Sequence, residues 1–331
     1  MESPTLDKFP KGILSGIDIQ RAFIASRLII AAERLQVFRF LGEKRRTADE
    51  VRAALHIHAD HLGPFLNALA ALGLLSRRGR TYGNSPFADE YFVKQRSIYW
   101  TRQYSAECVE DYDALAGLEH TLASGKRSRP KGLGYVERMQ RDRRRAGDFT
   151  QMLFHLHQED AEALAGYLNL ARYRAVLDVA GGSGVMSIAL ARRYPHLKAT
   201  ILDIAPVCAV AAGNVRRAGL SDRVTTVAGD IRRALPKCHD VVLLCDIGAI
   251  SAAMLSRAWR SLPSGGLLVL ADRYLSADGL RPVDRLLDHF VGSSFGLATW
   301  RDMVAAVRSC RFRRVRARNV YRDVWFVTGT K

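Results

Sequence analysis

The sequence predicts an α/β protein in two parts. A helical segment closed by a small hairpin comes first, and a parallel sheet wrapped by helices follows, finished by an antiparallel edge hairpin. Three observations carry this. Between about residues 18 and 93 apolar residues recur at helical spacing and then give way to a short hairpin pattern. From Arg174 onward, short apolar runs alternate with helical stretches, the signature of strands joined by crossover helices. The closing run FRRVRARNVYRDVWFVTGT reads as two strands around a turn near Asn319, an edge added to that sheet.

Taken in order, Ile17–Leu41 places Ile24, Leu28, Ala31, Leu35 and Phe38 at helical spacing. Thr47 followed by Glu50 is a capping-box pattern that starts a second helix, which stops near His56. A third helix spans Ala59 to Leu72 and ends at Gly73. LLS, the basic turn RRGR and TYGNSPFADEYF complete a strand, turn and strand, so three helices and a wing describe a winged helix. Residues 95–170 read as helical with a basic break at Gly125–Tyr135, and a helix beginning near Gly147 carries Phe149, Leu153, His155 and His157. The strands that follow are AVLDVA, ATILDI, RVTTVAGD, DVVLLCDIG and LLVLADRYL. The boundaries expected are 1–95 for the winged-helix-like domain, 96–165 for a helical linker and 166–331 for the sheet domain.

Composition excludes several classes. With 48% hydrophobic and 25% charged residues among 331, the chain is neither disordered nor low-complexity. Its apolar stretch Ala22–Ala32 contains Arg27 and is far short of the roughly 20 residues a membrane span needs. No signal-peptide pattern opens the sequence, and the five cysteines form no CxxC pair and no metal cluster. A reduced, cytoplasmic protein is the expectation. The net charge of +17 raises nucleic acid as a partner. The third helix, DHLGPFLNALAAL, offers almost no side chain able to read base edges, which points instead to a solvated basic surface and a buried helix.

The chemistry concentrates at strand ends. Asp178-Val179-Ala180-Gly181-Gly182-Ser183-Gly184 closes the first strand and opens the first helix, where glycines let a ligand approach the backbone. A dinucleotide fingerprint would want another glycine where Ser187 stands, and Asp178 would repel a pyrophosphate while attracting a cationic ligand. Asp203, ending the second strand, suits ribose hydroxyls; Asp230, ending the third, suits an adenine amino group. Three acids in this order describe a nucleoside with a cationic amino-acid tail, S-adenosylmethionine (SAM).

With LDVAGGSG, the LDIAP strand end, VAGD and LPSGGLLVLAD (Leu262–Asp272) in place, the sequence resembles the small-molecule O-methyltransferase family over nearly its whole length. That family joins a winged-helix-like dimerisation domain to a Rossmann-like SAM-binding domain. It includes bacterial polyketide and carotenoid O-methyltransferases and the bacteriochlorophyllide carbon-methylating enzyme. The resemblance implies a homodimer whose N-terminal domain completes the partner's acceptor pocket. It implies methyl transfer to a small, largely apolar aromatic or polyketide-like acceptor, at oxygen by default and at carbon as the variant. Asp178, Gly181, Gly182 and Gly184 would cradle the SAM tail, Asp203 the ribose and Asp230 the adenine; Cys245 would flank the cofactor, and His157 falls near a position that touches its carboxylate.

Two departures stand out. Ala180 replaces a glycine, and Ala249 stands where the family carries its catalytic histidine, with Ile250 and Ser251 beside it. His289 in LLDHFVGSSFG is the substitute base the resemblance offers, with Asp246 and Asp272 to orient or charge-stabilise it; His155 and His157 are further histidines on the cofactor side. An acceptor already ionised would need no base. The missing histidine also motivates the alternative of a SAM-binding homologue that no longer methylates and catalyses a cyclisation, rearrangement or hydroxylation. The basic wing Arg77–Arg80 motivates a DNA-binding regulator, which leaves the three strand-end acids unexplained.

Overall fold

A computed structural model describes residues 16–93, 112, 115–125, 135–291 and 296–331. The chain divides into two compact units, Met1–Asp111 and Tyr112–Lys331, so the boundary falls inside the 96–165 segment. The basic break at 126–134, Cys108 and the SSF stretch after His289 lie outside the described residues.

In the first unit the single helix expected over Ile17–Leu41 is two, α1 (Gly16–Arg34) and α2 (Val37–Leu41). The chain turns between them because Gln36 sits in the left-handed region at φ 61, which no helix interior accepts. β1 (Arg46–Thr47) leads into α3 (Ala48–Leu55), whose start carries the expected capping box: the Thr47 hydroxyl accepts from Glu50 N–H, and Glu50 accepts from Thr47 N–H. α4 (Ala59–Ala71) is followed by β2 (Leu75–Arg78) and β3 (Thr81–Asn84), which form a sheet in the order β1-β3-β2. The second strand is shorter than expected. Ser85 caps a new turn by accepting from Ala88 N–H, Pro86 fixes its first residue, and SPFADEYF is therefore helical: α5 (Pro86–Ala88), continued to Val93 as a wider turn. Leu62, Leu66 and Leu69 of α4 are buried in this unit's own core with Phe38, Leu41 and Val51. The polar Asn67 of α4 is taken by Tyr82 (2.9 Å) and Arg77 (3.0 Å).

The second unit opens with α6 (Leu118–Ser124), α7 (Tyr135–Arg141), α8 (Arg143–Leu156) and α9 (Gln158–Tyr167). α8 starts before Gly147 because Asp142 caps it, accepting from Arg145 N–H at 2.9 Å. Strands and helices then alternate as the sequence predicts: β4 (Ala175–Val179), α10 (Val185–Arg193), β5 (Lys198–Asp203), α11 (Ala205–Arg217), β6 (Val224–Ala228), β7 (Val241–Cys245), α12 (Ala252–Ser261) and β8 (Leu267–Asp272). After α13 (Val283–Val291) and α14 (Trp300–Ser309), β9 (Arg313–Tyr321) and β10 (Val324–Thr330) form the hairpin.

The seven strands run in the order β6-β5-β4-β7-β8-β10-β9. β4 to β8 are parallel, and β10 lies antiparallel between β8 and β9. The strand order reverses between β4 and β7, where open sheets bind ligands beyond their carboxyl ends. Register pairs Asp178 with Leu243, Asp203 with Ala228 and Cys245 with Ala271, so every strand-end residue of interest comes out on that edge. One buried cluster packs on each sheet face, through Val176, Ile201 and Leu243 on one and Leu177, Leu244 and Leu270 on the other.

The hairpin turns at Arg322–Asp323, not at Asn319. Asn319 still pairs with Trp325, and Arg322 takes the left-handed conformation (φ 49) that closes the turn. Exposed Arg313, Arg314, Arg316 and Arg318 line this edge strand, where like charges oppose pairing with another sheet. No helix among the described residues is long and apolar enough to cross a membrane.

Candidate cofactor and active site

The loop from Asp178 to Gly184 is built from alternating left-handed residues, Ala180 (φ 54), Gly182 (φ 54) and Gly184 (φ 78). Ala180 N–H donates to Leu202 O at 2.8 Å, and the buried Asn214 of α11 donates to Ser183 O at 2.9 Å, which pins the loop over β5. Glycine suits position 184 because its φ of 78 is strained for any side chain, and a Cβ there would also crowd Ile201 Cδ1 at 2.8 Å. Ala180 holds a conformation that glycine takes without strain. Ala180→Gly is expected to raise stability by about 0.5 kcal/mol, the left-handed penalty of about 1 kcal/mol less the extra chain entropy of glycine. A melting temperature that falls would count against strain at this position.

Asp178 is 1% exposed. Ser187 Oγ donates to its Oδ2 at 2.7 Å, and its Oδ1 is buried without a hydrogen-bond partner. Burial pushes this carboxyl up to about 6, against the Ser187 bond and with help from the Asp203 charge. Asp203, 8% exposed, accepts from Gly182 N–H (2.9 Å) and Ile204 N–H (2.7 Å), and burial raises it. Asp230 lies at the surface in the grip of Arg232 (2.8 Å), whose side-chain and backbone bonds hold it down to about 2. Cys245 is buried; burial first, then the charges of Asp178, Asp246 and Asp272, raise its thiol well above the ordinary range, making it an inert wall.

Beyond β7 and β8 lies a second group. His157, between α8 and α9, places Nδ1 2.8 Å from Asp160 Oδ2 and Nε2 3.2 Å from Asp246 Oδ2, the latter an ion pair off the line of a good hydrogen bond. Burial opposes charge on this ring, but the hydrogen bond to Asp160 and the close carboxylates of Asp246 and Asp160 push it up to about 10, so it is an imidazolium at neutral pH. Asp246 is left-handed (φ 50), and its Oδ1 lies 3.7 Å from the guanidinium of Arg285. Arg285, on α13 and 5% exposed, also bonds Asp272 Oδ1, which further accepts from Arg273 N–H at 2.6 Å. Burial, then Asp246, push Asp272 up to about 7 against the pull of Arg285. The Tyr274 hydroxyl is buried beyond them without a hydrogen-bond partner.

His289 stands apart. It is exposed one turn beyond Arg285, edge-on to Phe290 (ring centroids 5.5 Å apart), and makes no hydrogen bond or ion pair with Asp246 or Asp272. The structure thus brings His157, Asp246 and Asp272 together and leaves His289 out. Ala249 is exposed, and Ser251 caps α12 by accepting from Met254 N–H at 3.2 Å. Sequence reasoning missed Arg285, Asp160 and Asn214, and noted Ser187 only as a departure from a glycine pattern, without its bond to Asp178. A usable signal existed for Arg285: two acids ending buried strands require a cation, and α13 offers this arginine one turn before His289. Among the described residues no group of three or more His, Cys, Asp or Glu side chains is arranged to hold a metal ion. A hollow of about 470 Å³ between α9 and α10 is lined by Gln158, Ala161, Ile188 and Arg192 among others, and by none of the site residues.

These features define a Rossmann-like sheet with a glycine loop and carboxylates gathered at its strand ends. SAM fits the residues present. The buried Asp178 Oδ1 lacks a partner, a Cβ on Gly181 would lie 2.6 Å from Asp178 Cγ, and one on Gly229 would lie 2.7 Å from Leu202 Cδ1. Residues 117–295 match the O-methyltransferase domain family, and residues 17–94 match the O-methyltransferase dimerisation domain. The chain belongs to the O-methyltransferase family and is a SAM-dependent methyltransferase. It is 30% identical to a 3-hydroxy-5-methyl-1-naphthoate 3-O-methyltransferase of Streptomyces sahachiroi, over 82% of this chain and 80% of that one. It is 28% identical to the tetracenomycin polyketide synthesis 8-O-methyl transferase of Streptomyces glaucescens, over 79% of each. An O-methyltransferase family protein from Burkholderia thailandensis shares the fold, with TM-score 0.82 at 23% identity over 97% of this chain and 99% of that one.

Proposed function

We propose that this enzyme methylates a hydroxyl oxygen of a small, largely apolar aromatic acceptor of polyketide type, as a cytoplasmic homodimer. The observation that carries the reading is the pair of adjoining groups at the carboxyl edge of β4, β7 and β8: a glycine loop around the buried Asp178, and beside it the acids Asp246 and Asp272. The two Streptomyces relatives support the acceptor class, one being named for a hydroxynaphthoate and the other for polyketide synthesis. Both are methyltransferases by name, which disfavours a homologue that has given up methylation.

Asp178, Gly181, Gly182 and Gly184 hold the amino-acid tail, Asp203 the ribose and Asp230 the adenine, with Cys245 as an apolar wall. Bound SAM supplies an electrophilic methyl on a sulfonium. The chain's own residues bind, orient and exclude water, and proximity supplies much of the rate. Ala249 takes no proton. The partly exposed Asp246 carboxylate takes the proton of the acceptor hydroxyl, held in place by His157 and Arg285. His157 does not serve as the base, since its ring is already charged at neutral pH.

Incubation with methyl-labelled SAM and a panel of hydroxynaphthoates is expected to give a labelled methyl ether. Absence of label in every phenol, with S-adenosylhomocysteine never formed, would overturn the proposal. Asp246→Asn is expected to lower kcat about 100-fold, the usual contribution of a positioned base, and His289→Ala by less than about threefold. The reverse ranking would return the base to His289.

A further inference from the structure

Ser187 was notable in the sequence for occupying the place of a missing glycine. In the structure it is fully buried in the first turn of α10, and its hydroxyl is spent on Asp178 Oδ2 at 2.7 Å. We infer that Ser187 is a positioning residue for the cofactor: its hydroxyl fixes one oxygen of Asp178, leaving Oδ1 to receive the ammonium of the amino-acid tail. This rests on the proposed role of Asp178 at that tail.

Three observations carry the inference. The two side chains are among the most buried polar groups of the fold, Ser187 at 0% and Asp178 at 1%, so no water replaces the bond if it is lost. Asp178 Oδ1 is buried without a hydrogen-bond partner, which is costly for a carboxylate unless a ligand completes it. The carboxyl lies directly under Gly181, where even a methyl group would strike it, so the glycine opens the approach.

The surroundings set the sign. The titratable groups facing Asp178 are Asp203 at the end of β5 and the Cys245 thiol at the end of β7. Neither is a cation, and Asp178 has no ion pair among the described residues. Burial and Asp203 push the carboxyl towards its neutral form, to about 6, and the Ser187 bond opposes them. Without Ser187 the balance moves further up, so Asp178 becomes protonated around neutral pH and loses its attraction for an ammonium group. The effect disappears at higher pH, where the carboxyl ionises regardless.

The test is calorimetric binding of S-adenosylhomocysteine, which carries the same ammonium tail without the sulfonium, to the full-length protein between about pH 6 and 8.5. For the unaltered protein, affinity is expected to fall below about pH 6. Ser187→Ala is expected to move that midpoint up by about one unit, raising the dissociation constant about fivefold at pH 6, about twofold at pH 7 and hardly at all at pH 8.5. Ser187→Cys keeps the side chain's size with a weaker donor; it is expected to lie between the two and serves if the alanine variant fails to fold. A merely structural role would weaken binding equally at every pH, and that result, or an unmoved midpoint, overturns the inference. Asp178→Asn separates the underlying reading: it is expected to weaken binding at least about 30-fold at all pH values, as a charge-assisted bond requires. If that variant binds normally, the role of Asp178 itself falls; if it binds weakly while the Ser187 variants keep the original midpoint, only the inference about Ser187 falls.

Discussion

Arg285→Met is expected to destabilise the enzyme by about 3 kcal/mol or more at pH 8.5, since removing one partner of a buried ion pair leaves an uncompensated charge behind. Arg285 and Asp272 are 5% and 7% exposed, so water cannot take the place of the guanidinium. The damage extends to Asp246, which would face Asp272 with only His157 as a cation. The pH dependence has a definite sign. Asp272 is raised above its unfolded value, to about 7, by burial and then by Asp246. A raised carboxyl binds its proton more tightly in the folded state, so its contribution to stability is lost as pH climbs from about 4 through 7. Removing Arg285 raises Asp272 further and steepens that loss. The deficit relative to the unaltered protein should therefore be greatest at pH 8.5 and shrink near pH 5.5, where Asp272 takes a proton. Thermal melts at both values measure it, and an equal deficit at both would assign Arg285 a packing role instead. His289→Ala on the same helix should leave melting nearly unchanged, because that ring is exposed.

Gly181→Ala should abolish most cofactor binding through a single methyl group. Its Cβ would stand 2.6 Å from Asp178 Cγ and 2.8 and 3.0 Å from the two carboxylate oxygens. Asp178 cannot retreat, being buried and held by Ser187 at 2.7 Å. Overpacking of this kind costs about 1–3 kcal/mol, and spent on the cofactor cradle it corresponds to roughly a ten- to hundred-fold weaker dissociation constant for S-adenosylhomocysteine. Gly166→Ala is the contrast. Nothing lies within 4 Å of its Cβ, and it sits inside α9, so the substitution should be neutral or stabilising by up to about 1 kcal/mol. Calorimetry on the two variants checks the pair, and unaltered binding by the Gly181 variant would mean that the loop is not the cradle.

The alternation of strands and helices after Arg174 was legible because the central parallel strands are buried on both faces and read as largely apolar runs; Val241–Cys245 is buried at every position, whereas the outer strand Val224–Ala228 is mostly exposed. The capping box at Thr47 was legible because both of its partners lie within three residues. Where the reading went astray, local backbone choices had overridden a periodic pattern. Gln36 broke a helix that the spacing of Leu28, Leu35 and Phe38 had joined, and Ser85 with Pro86 turned an apparent strand into helix. The glycine loop and its acids were visible because a ligand site at a strand end is announced by adjacent residues. The choice between His289 and Arg285 was not, because both belong to one helix and only packing decides which of them turns inward.

By itself, then, the chain's letters determined the class of sheet, the glycine loop with its strand-end acids and the absence of a histidine at position 249, since each is written in neighbouring residues and short periods. Tertiary structure alone decided that His157, Asp246, Asp272 and Arg285, spread over more than a hundred positions, would share one partly buried set of charges. The physical reason is that charge pairing inside a protein depends on distance in space and exclusion of water, and neither quantity can be read along a sequence.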